Sequence, residues 1–130
     1  MNIERFALKE GDLILEMGKG SDCDESLRSE IIAVTKNELL GEDSQEVVDA
    51  VILWWREDDG DLIDALVDAQ TYLTENGTIW LLTPKVGRPG HVEASDIQDA
   101  VPTAGLSLTT SFAGGDDWVT AKILPRKSKK

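Results

Sequence analysis

Val47-Val48-Asp49-Ala50-Val51-Ile52-Leu53-Trp54-Trp55 runs without a break into Arg56-Glu57-Asp58-Asp59-Gly60-Asp61. From Val51 to Trp55 every residue is apolar, and no polar position alternates with them. A strand with one wet face alternates. An unbroken apolar run of this length belongs to a strand covered on both faces, as in the middle of a parallel sheet. The sudden change to charge and glycine ends the strand and begins a loop. Ile79-Trp80-Leu81-Leu82 has the same character, and Leu13-Ile14-Leu15 is a shorter version. Between the two longer runs, Leu62, Ile63, Leu66, Val67 and Leu73 recur at helical spacing, with Asn76-Gly77 as the expected stop.

Working outward, Gly18-Lys19-Gly20 follows the first run as a glycine loop. Asp24 or Ser26 can cap a helix carrying Leu27, Ile31, Ile32 and Val34. Leu39-Leu40 is a candidate short edge strand. After the loop Pro84–Val92, Ser95 can cap a short helix that Pro102 and Gly105 end. Leu106–Phe112 and Trp118–Leu124 flank Gly114-Gly115-Asp116-Asp117, and Val119, Ala121 and Ile123 alternate, which predicts an antiparallel C-terminal hairpin.

Strands alternating with helices imply an α/β fold in three layers, with a mostly parallel sheet between helices. Residues 1–125 are expected to form one domain, and the basic tail 126–130 to lack order. The strands near 12–17, 49–55 and 78–83 are expected to be mutually parallel and central, with the hairpin to one side.

The chain of 130 residues carries a formal net charge of -12, although Arg126, Lys127, Lys129 and Lys130 crowd four cations into its last five positions. So acidic a body repels phosphate backbones and anionic lipid, so neither nucleic acid nor membrane is an expected partner. The lone Cys23 excludes an internal disulfide and a cysteine metal cluster. With no apolar run of signal-peptide or membrane-helix length, cytoplasm is the expected compartment.

Ligands of open parallel sheets bind beyond the carboxyl ends of the strands. Three loops leave those ends: Gly18–Asp24, Arg56–Asp61 and Pro84–Val92. In the third, Lys85, Arg88 and His91 make a basic island in an acidic chain, fit for an anion or a docking partner, or balanced by Asp58, Asp59 and Asp61. The three are expected to stand largely exposed beside the Arg56–Asp61 turn. Trp54 and Trp55 should face opposite sides of the sheet, both as core residues, with Trp55 near enough to the strand end to floor a pocket. Glu16-Met17-Gly18-Lys19-Gly20 is similar to the first motif of class I methyltransferases, in which an acid and glycine-x-glycine let S-adenosylmethionine lie close to the backbone. That resemblance makes Glu16, Gly18 and Gly20 candidate cofactor residues and leaves Glu38 or Glu42 for the second acid. The third glycine is missing, and Asp22 stands in that region. Cys23 and His91 form a conceivable nucleophile–base pair, without a visible oxyanion device.

The stretch Val47–Ala69, with Trp80–Val92 and Pro102-Thr103-Ala104-Gly105-Leu106, resembles the actinobacterial domain-of-unknown-function family 3052 over nearly the whole chain. The resemblance implies a bacterial cytoplasmic protein on a reduced Rossmann-like, class I methyltransferase-like scaffold. A formed sheet edge without a convincing catalytic set leads to a non-catalytic binding or regulatory protein with a protein partner, no bound cofactor and no metal. Trp55, Arg56, Asp58, Asp59, Lys85, Arg88 and His91 are its candidate binding residues. A small S-adenosylmethionine-dependent methyltransferase and a nucleotide or anion sensor are the alternatives.

Overall fold

The computed structural model describes residues 3–113 and 117–125. Most of the expected hairpin turn, and the basic residues 126–130, lie outside them. Five strands and three helices follow a 3-10 turn at Ile3–Phe6: β1 (Ile14–Met17), α1 (Glu25–Thr35), β2 (Val48–Trp54), α2 (Leu62–Thr71), β3 (Leu73–Pro84), α3 (Ala94–Thr103), β4 (Leu106–Ala113) and β5 (Trp118–Pro125). They form one sheet in the order β1-β2-β3-β5-β4. β1, β2 and β3 are parallel, while β5 runs antiparallel to both β3 and β4.

The apolar run decides the layers as expected. Val51, Leu53 and Trp55 face a core shared with Leu66 of α2 and Val101 of α3. Ala50, Ile52 and Trp54 face Leu27 and Ile31 of α1 and Phe6 of the N-terminal turn. Both sides of β2 are sealed: Trp54 is 0% exposed and Trp55 8%. Asp24 caps α1 by accepting from the Leu27 N–H, and Asp61 caps α2 by accepting from Ile63.

Three expectations are corrected in position. β1 is not central: outside it stands only an isolated parallel bridge, Leu15 with Leu40, because the Leu39-Leu40 segment is too short to make a strand. Asn76-Gly77 does not stop α2. That helix ends at Thr71, and β3 begins at once with Leu73, so Asn76 and Gly77 are strand residues. Gly77 fits there because a Cβ would stand 2.7 Å from Leu73 Cδ2, where the β2–β3 register shifts. Ser95 lies inside α3, which begins after Glu93. Among the described residues no helix is long and apolar enough to cross a membrane.

Candidate functional site

The carboxyl ends of β1 and β2 open onto a cleft of about 510 Å³. Trp55 and Leu53 supply apolar wall, and Gly18 and Lys19 line it from the β1 loop. Glu42, Asp59, Asp61, Asp64 and Asp68 make it acidic. Asp61, Asp64 and Asp68 reach it together because positions i, i+3 and i+7 share one face of α2. Glu42 comes just after the Leu40 bridge, and its Oε2 lies 3.4 Å from the Gly18 nitrogen.

Arg56, the first residue past the apolar run, closes the cleft on the glycine side. Its Nη1 donates to the Gly18 carbonyl at 2.7 Å and to the Trp54 carbonyl at 3.3 Å. Nε and Nη2 grip the two Asp22 oxygens at 3.0 and 2.5 Å, and Nη1 reaches Asp59 Oδ2 at 3.2 Å. The bidentate guanidinium beside it holds the Asp22 carboxyl below its ordinary pKa. The guanidinium also sits over the Trp118 ring, 5.4 Å from its centroid. One arginine therefore pins the glycine loop to the ends of β2 and β5.

Each residue of the glycine motif has a packing reason for its identity. A Cβ on Gly18 would stand 2.2 Å from the Trp54 carbonyl oxygen, and its φ is +75°. A Cβ on Gly20 would meet Arg56 Nη2 and Asp22 Oδ1 at 3.0 Å. Glu16 points to the α1 side of the sheet and is 8% exposed. Its oxygens accept from Arg28 Nε at 2.7 Å, Arg28 Nη2 at 2.9 Å and Trp54 Nε1 at 2.9 Å.

The basic loop does abut the Arg56 turn. The Gly90 carbonyl accepts from the Glu57 N–H at 2.9 Å, and the Gly90 Cα packs so closely on Arg56 that an added Cβ would lie 2.9 Å from the arginine Cβ. None of its cations, however, lines the cleft. Arg88 pairs with Asp117 at 3.2 Å rather than with Asp58, Asp59 or Asp61. The register explains this: Pro84 pairs with Trp118, which brings Asp117 to the start of the loop, where its carbonyl also accepts from the Lys85 N–H. His91 Nδ1 lies 2.9 Å from the Pro84 carbonyl, folding the loop on itself. Arg88 is exposed, whereas Lys85 and His91 are only half-exposed. Asp58 is exposed and does not line the cleft. The candidates Trp55, Arg56 and Asp59 thus come together, and Lys85, Arg88 and His91 form a separate patch. Sequence reasoning placed Asp61 at this edge only as a counter-charge to the basic loop and missed Asp64 and Asp68, although the helical spacing of the three was a usable signal.

Replacing Lys85 and Arg88 together with alanine is expected to leave thermal stability almost unchanged, within about 0.5 kcal/mol per site. The Arg88–Asp117 pair is half-exposed on both sides, and such pairs contribute little. A melting curve of the double variant checks this; a fall of many degrees would make the patch a structural clasp.

Cys23 does not suit nucleophilic work. Its sulfur is buried and accepts the Gly20 N–H at 3.2 Å, and burial pushes the thiol pKa up, the opposite of activation.

The sequence profile of the family described as "Protein of unknown function (DUF3052)" matches residues 3–127. Two mycobacterial relatives, the uncharacterized proteins Mb2263c of Mycobacterium bovis and Rv2239c of Mycobacterium tuberculosis, are each 44% identical over 125 residues. Those residues are 96% of this chain and 78% of the relative. Among solved structures, a SAM dependent methyltransferase from Aquifex aeolicus superposes with a TM-score of 0.66 at 13% identity, over 94% of this chain and 86% of that one. Identity that low speaks for the fold alone: a Rossmann-like, methyltransferase-like sheet.

Proposed function

This chain belongs to the family described as protein of unknown function DUF3052, and from that premise we propose that it is a non-catalytic binding protein working through the carboxyl edge of its sheet. The observation that carries the reading is the Arg56 latch. In the resemblance to methyltransferases the glycine loop matters because a cofactor lies against its backbone. Here the chain's own guanidinium lies there, bonded to the Gly18 carbonyl and filling the space above Gly20. Glu16, the acid of the motif, is spent on Arg28 and Trp54. What stays open is the acidic cleft floored by Trp55, whose charge favours a partner presenting a basic side chain.

One observation favours a second reading, a small S-adenosylmethionine-dependent methyltransferase. Glu42 follows the Leu40 bridge and reaches the Gly18 N–H, which is where a second, ribose-holding acid belongs in that resemblance. Calorimetric titration separates the two. S-adenosylmethionine is expected to bind no tighter than about 100 μM, roughly -5.5 kcal/mol. A low-micromolar isotherm would overturn the binding reading and favour the enzyme. In a parallel arm, the partner recovered from the native cell by the wild-type chain is expected to be lost with Asp64→Lys plus Asp68→Lys.

A further inference from the structure

A second cavity, of about 230 Å³, lies at the carboxyl end of β3, between the sheet and the start of α3. Thr83 and Val119 line it from β3 and β5, Ile97 lines it from α3, and Val86 and Val92 border it from the basic loop. Among the described residues, no aspartate, glutamate, lysine or arginine belongs to its lining, although such residues make up 29% of the chain.

Packing leaves two features of this cavity unexplained. The first is Thr83. Ile79, Leu81 and Thr83 stand at every second residue of β3, so they share one side of the strand. Ile79 and Leu81 are core residues on that side. Thr83 carries a hydroxyl there, and its cross-strand neighbour on β5, Val119, offers it no partner. The residue is 4% exposed. The hydroxyls of Thr35, Thr71, Thr103 and Thr109 each donate to a main-chain carbonyl. That of Thr83 has no hydrogen-bond partner among the described residues, yet it is not sealed in as Trp80 Nε1 and Thr120 Oγ1 are. The little surface it keeps opens on the cavity it lines. A hydroxyl so placed ordinarily has a partner, and valine would fill the same space without needing one.

The second feature is the rim. Val86 is 81% exposed, and Leu108 also stands in solvent. They are two of the four large apolar side chains that the described residues leave exposed, and both border this cavity. Apolar surface left wet around a recess marks a binding site. Two side chains fall far short, however, of the roughly 800 Å² that each side of a stable protein interface covers. The occupant they suit is small.

We propose that this cavity binds a small uncharged molecule, about one ring in size, whose hydroxyl or carbonyl oxygen hydrogen-bonds Thr83. The volume sets the size. An apolar cavity of about 150 Å³ takes a benzene ring, so this one has room for a ring with a short substituent. The lining sets the charge, since a buried ion would meet no counter-charge there. Thr83 sets the polar atom, since its hydroxyl can donate to a carbonyl or accept from another hydroxyl. The cavity shares no lining residue with the acidic cleft, so its failure would leave the reading of that cleft untouched.

The test is an NMR titration of the full 15N-labelled chain, following the assigned backbone amides of Thr83, Val92 and Ala121 around the cavity and of Gly18 and Asp64 at the acidic cleft. The probes are phenol, cyclohexanone, toluene, benzoate and N-acetyltyrosinamide. Phenol or cyclohexanone is expected to move the three cavity amides saturably at millimolar concentration, ahead of toluene and benzoate, with Gly18 and Asp64 silent. Thr83→Val, which keeps the shape and removes the hydroxyl, is expected to weaken the better ligand about fivefold. It should leave toluene unchanged and the melting temperature no lower. Ser111→Leu, which fills the cavity from β4, is expected to abolish binding of every probe. Silence of the cavity amides with both phenol and cyclohexanone would overturn the proposal. Toluene or benzoate binding as well as they do would also overturn it, as would an affinity that survives either variant. A lower melting temperature for Thr83→Val would do the same, by giving the hydroxyl a structural task. Tighter binding of N-acetyltyrosinamide than of phenol would replace the small molecule with the tyrosine of a protein partner.

Discussion

Replacing Gly18 with alanine is expected to destabilise the chain by about 3 kcal/mol or more, a fall of roughly ten degrees in melting temperature for a domain of this size. Two costs add. The left-handed φ of +75° costs an L-residue about 1–2 kcal/mol. The new methyl carbon would also stand 2.2 Å from the Trp54 carbonyl oxygen, and overpacking of this kind costs about 1–3 kcal/mol. That oxygen cannot easily retreat. Trp54 is held in register with Leu82, the next residue's N–H donates to the Leu82 carbonyl at 2.8 Å, and Arg56 bonds the Trp54 oxygen itself. Gly11 supplies the control. Its φ of +94° is equally unsuited to alanine, but nothing lies within 4 Å of its added Cβ, so Gly11→Ala should show the backbone cost alone. Chemical denaturation of both variants checks the difference. Equal losses would mean that the β1 loop yields, and that the first glycine of the motif is not fixed by packing on β2.

The same contacts show what the sequence could and could not disclose. β2 and the second half of β3 were legible because burial on both faces leaves a run with no alternation, and its shortness, its β-branched and aromatic residues and the charged turn after it favour a strand over a buried helix. The start of β3 was hidden. Thr74, Glu75 and Asn76 look like a loop because they lie where the sheet has lost its covering layer, and Gly77 looks like a helix stop although it is buried in a strand. The β1 loop, the Arg56 turn and the basic loop were correctly placed at one edge by topology. Their partners were not, since Arg56 with Asp22 and Arg88 with Asp117 span 34 and 29 positions and depend on register. The acidic face of α2 needed no tertiary knowledge: Asp61, Asp64 and Asp68 stand at helical spacing in the sequence itself. Glu16 is the ambiguous case, because an acid before glycine-x-glycine has two uses that are identical in sequence and opposite in space.

Glu16→Ala separates those two uses. If Glu16 served a cofactor at the cleft, its loss would spare stability. In the structure it is a buried carboxylate facing α1, accepting three hydrogen bonds from Arg28 and Trp54, and the Arg28 guanidinium is itself held more firmly charged by it. Removing it would leave the Trp54 Nε1 buried without an acceptor and strip a partly buried arginine of its inner partner. Breaking a buried pair from one side costs about 3–5 kcal/mol. Arg28 keeps Glu25 at 2.8 Å and is 19% exposed at its side chain, which places the expected loss near the lower end, about 3 kcal/mol. Arg28→Ala should cost less, because Glu16 would keep the indole N–H. The double variant should then lose less than the sum of the two, with a coupling of about 1–2 kcal/mol, since the second substitution removes a group already stranded by the first. Denaturation of the four chains in this cycle provides the measurement. Additive losses, or a Glu16→Ala chain as stable as the wild type, would remove the buried pair as the clasp between α1 and the sheet and return Glu16 to the candidates for ligand binding.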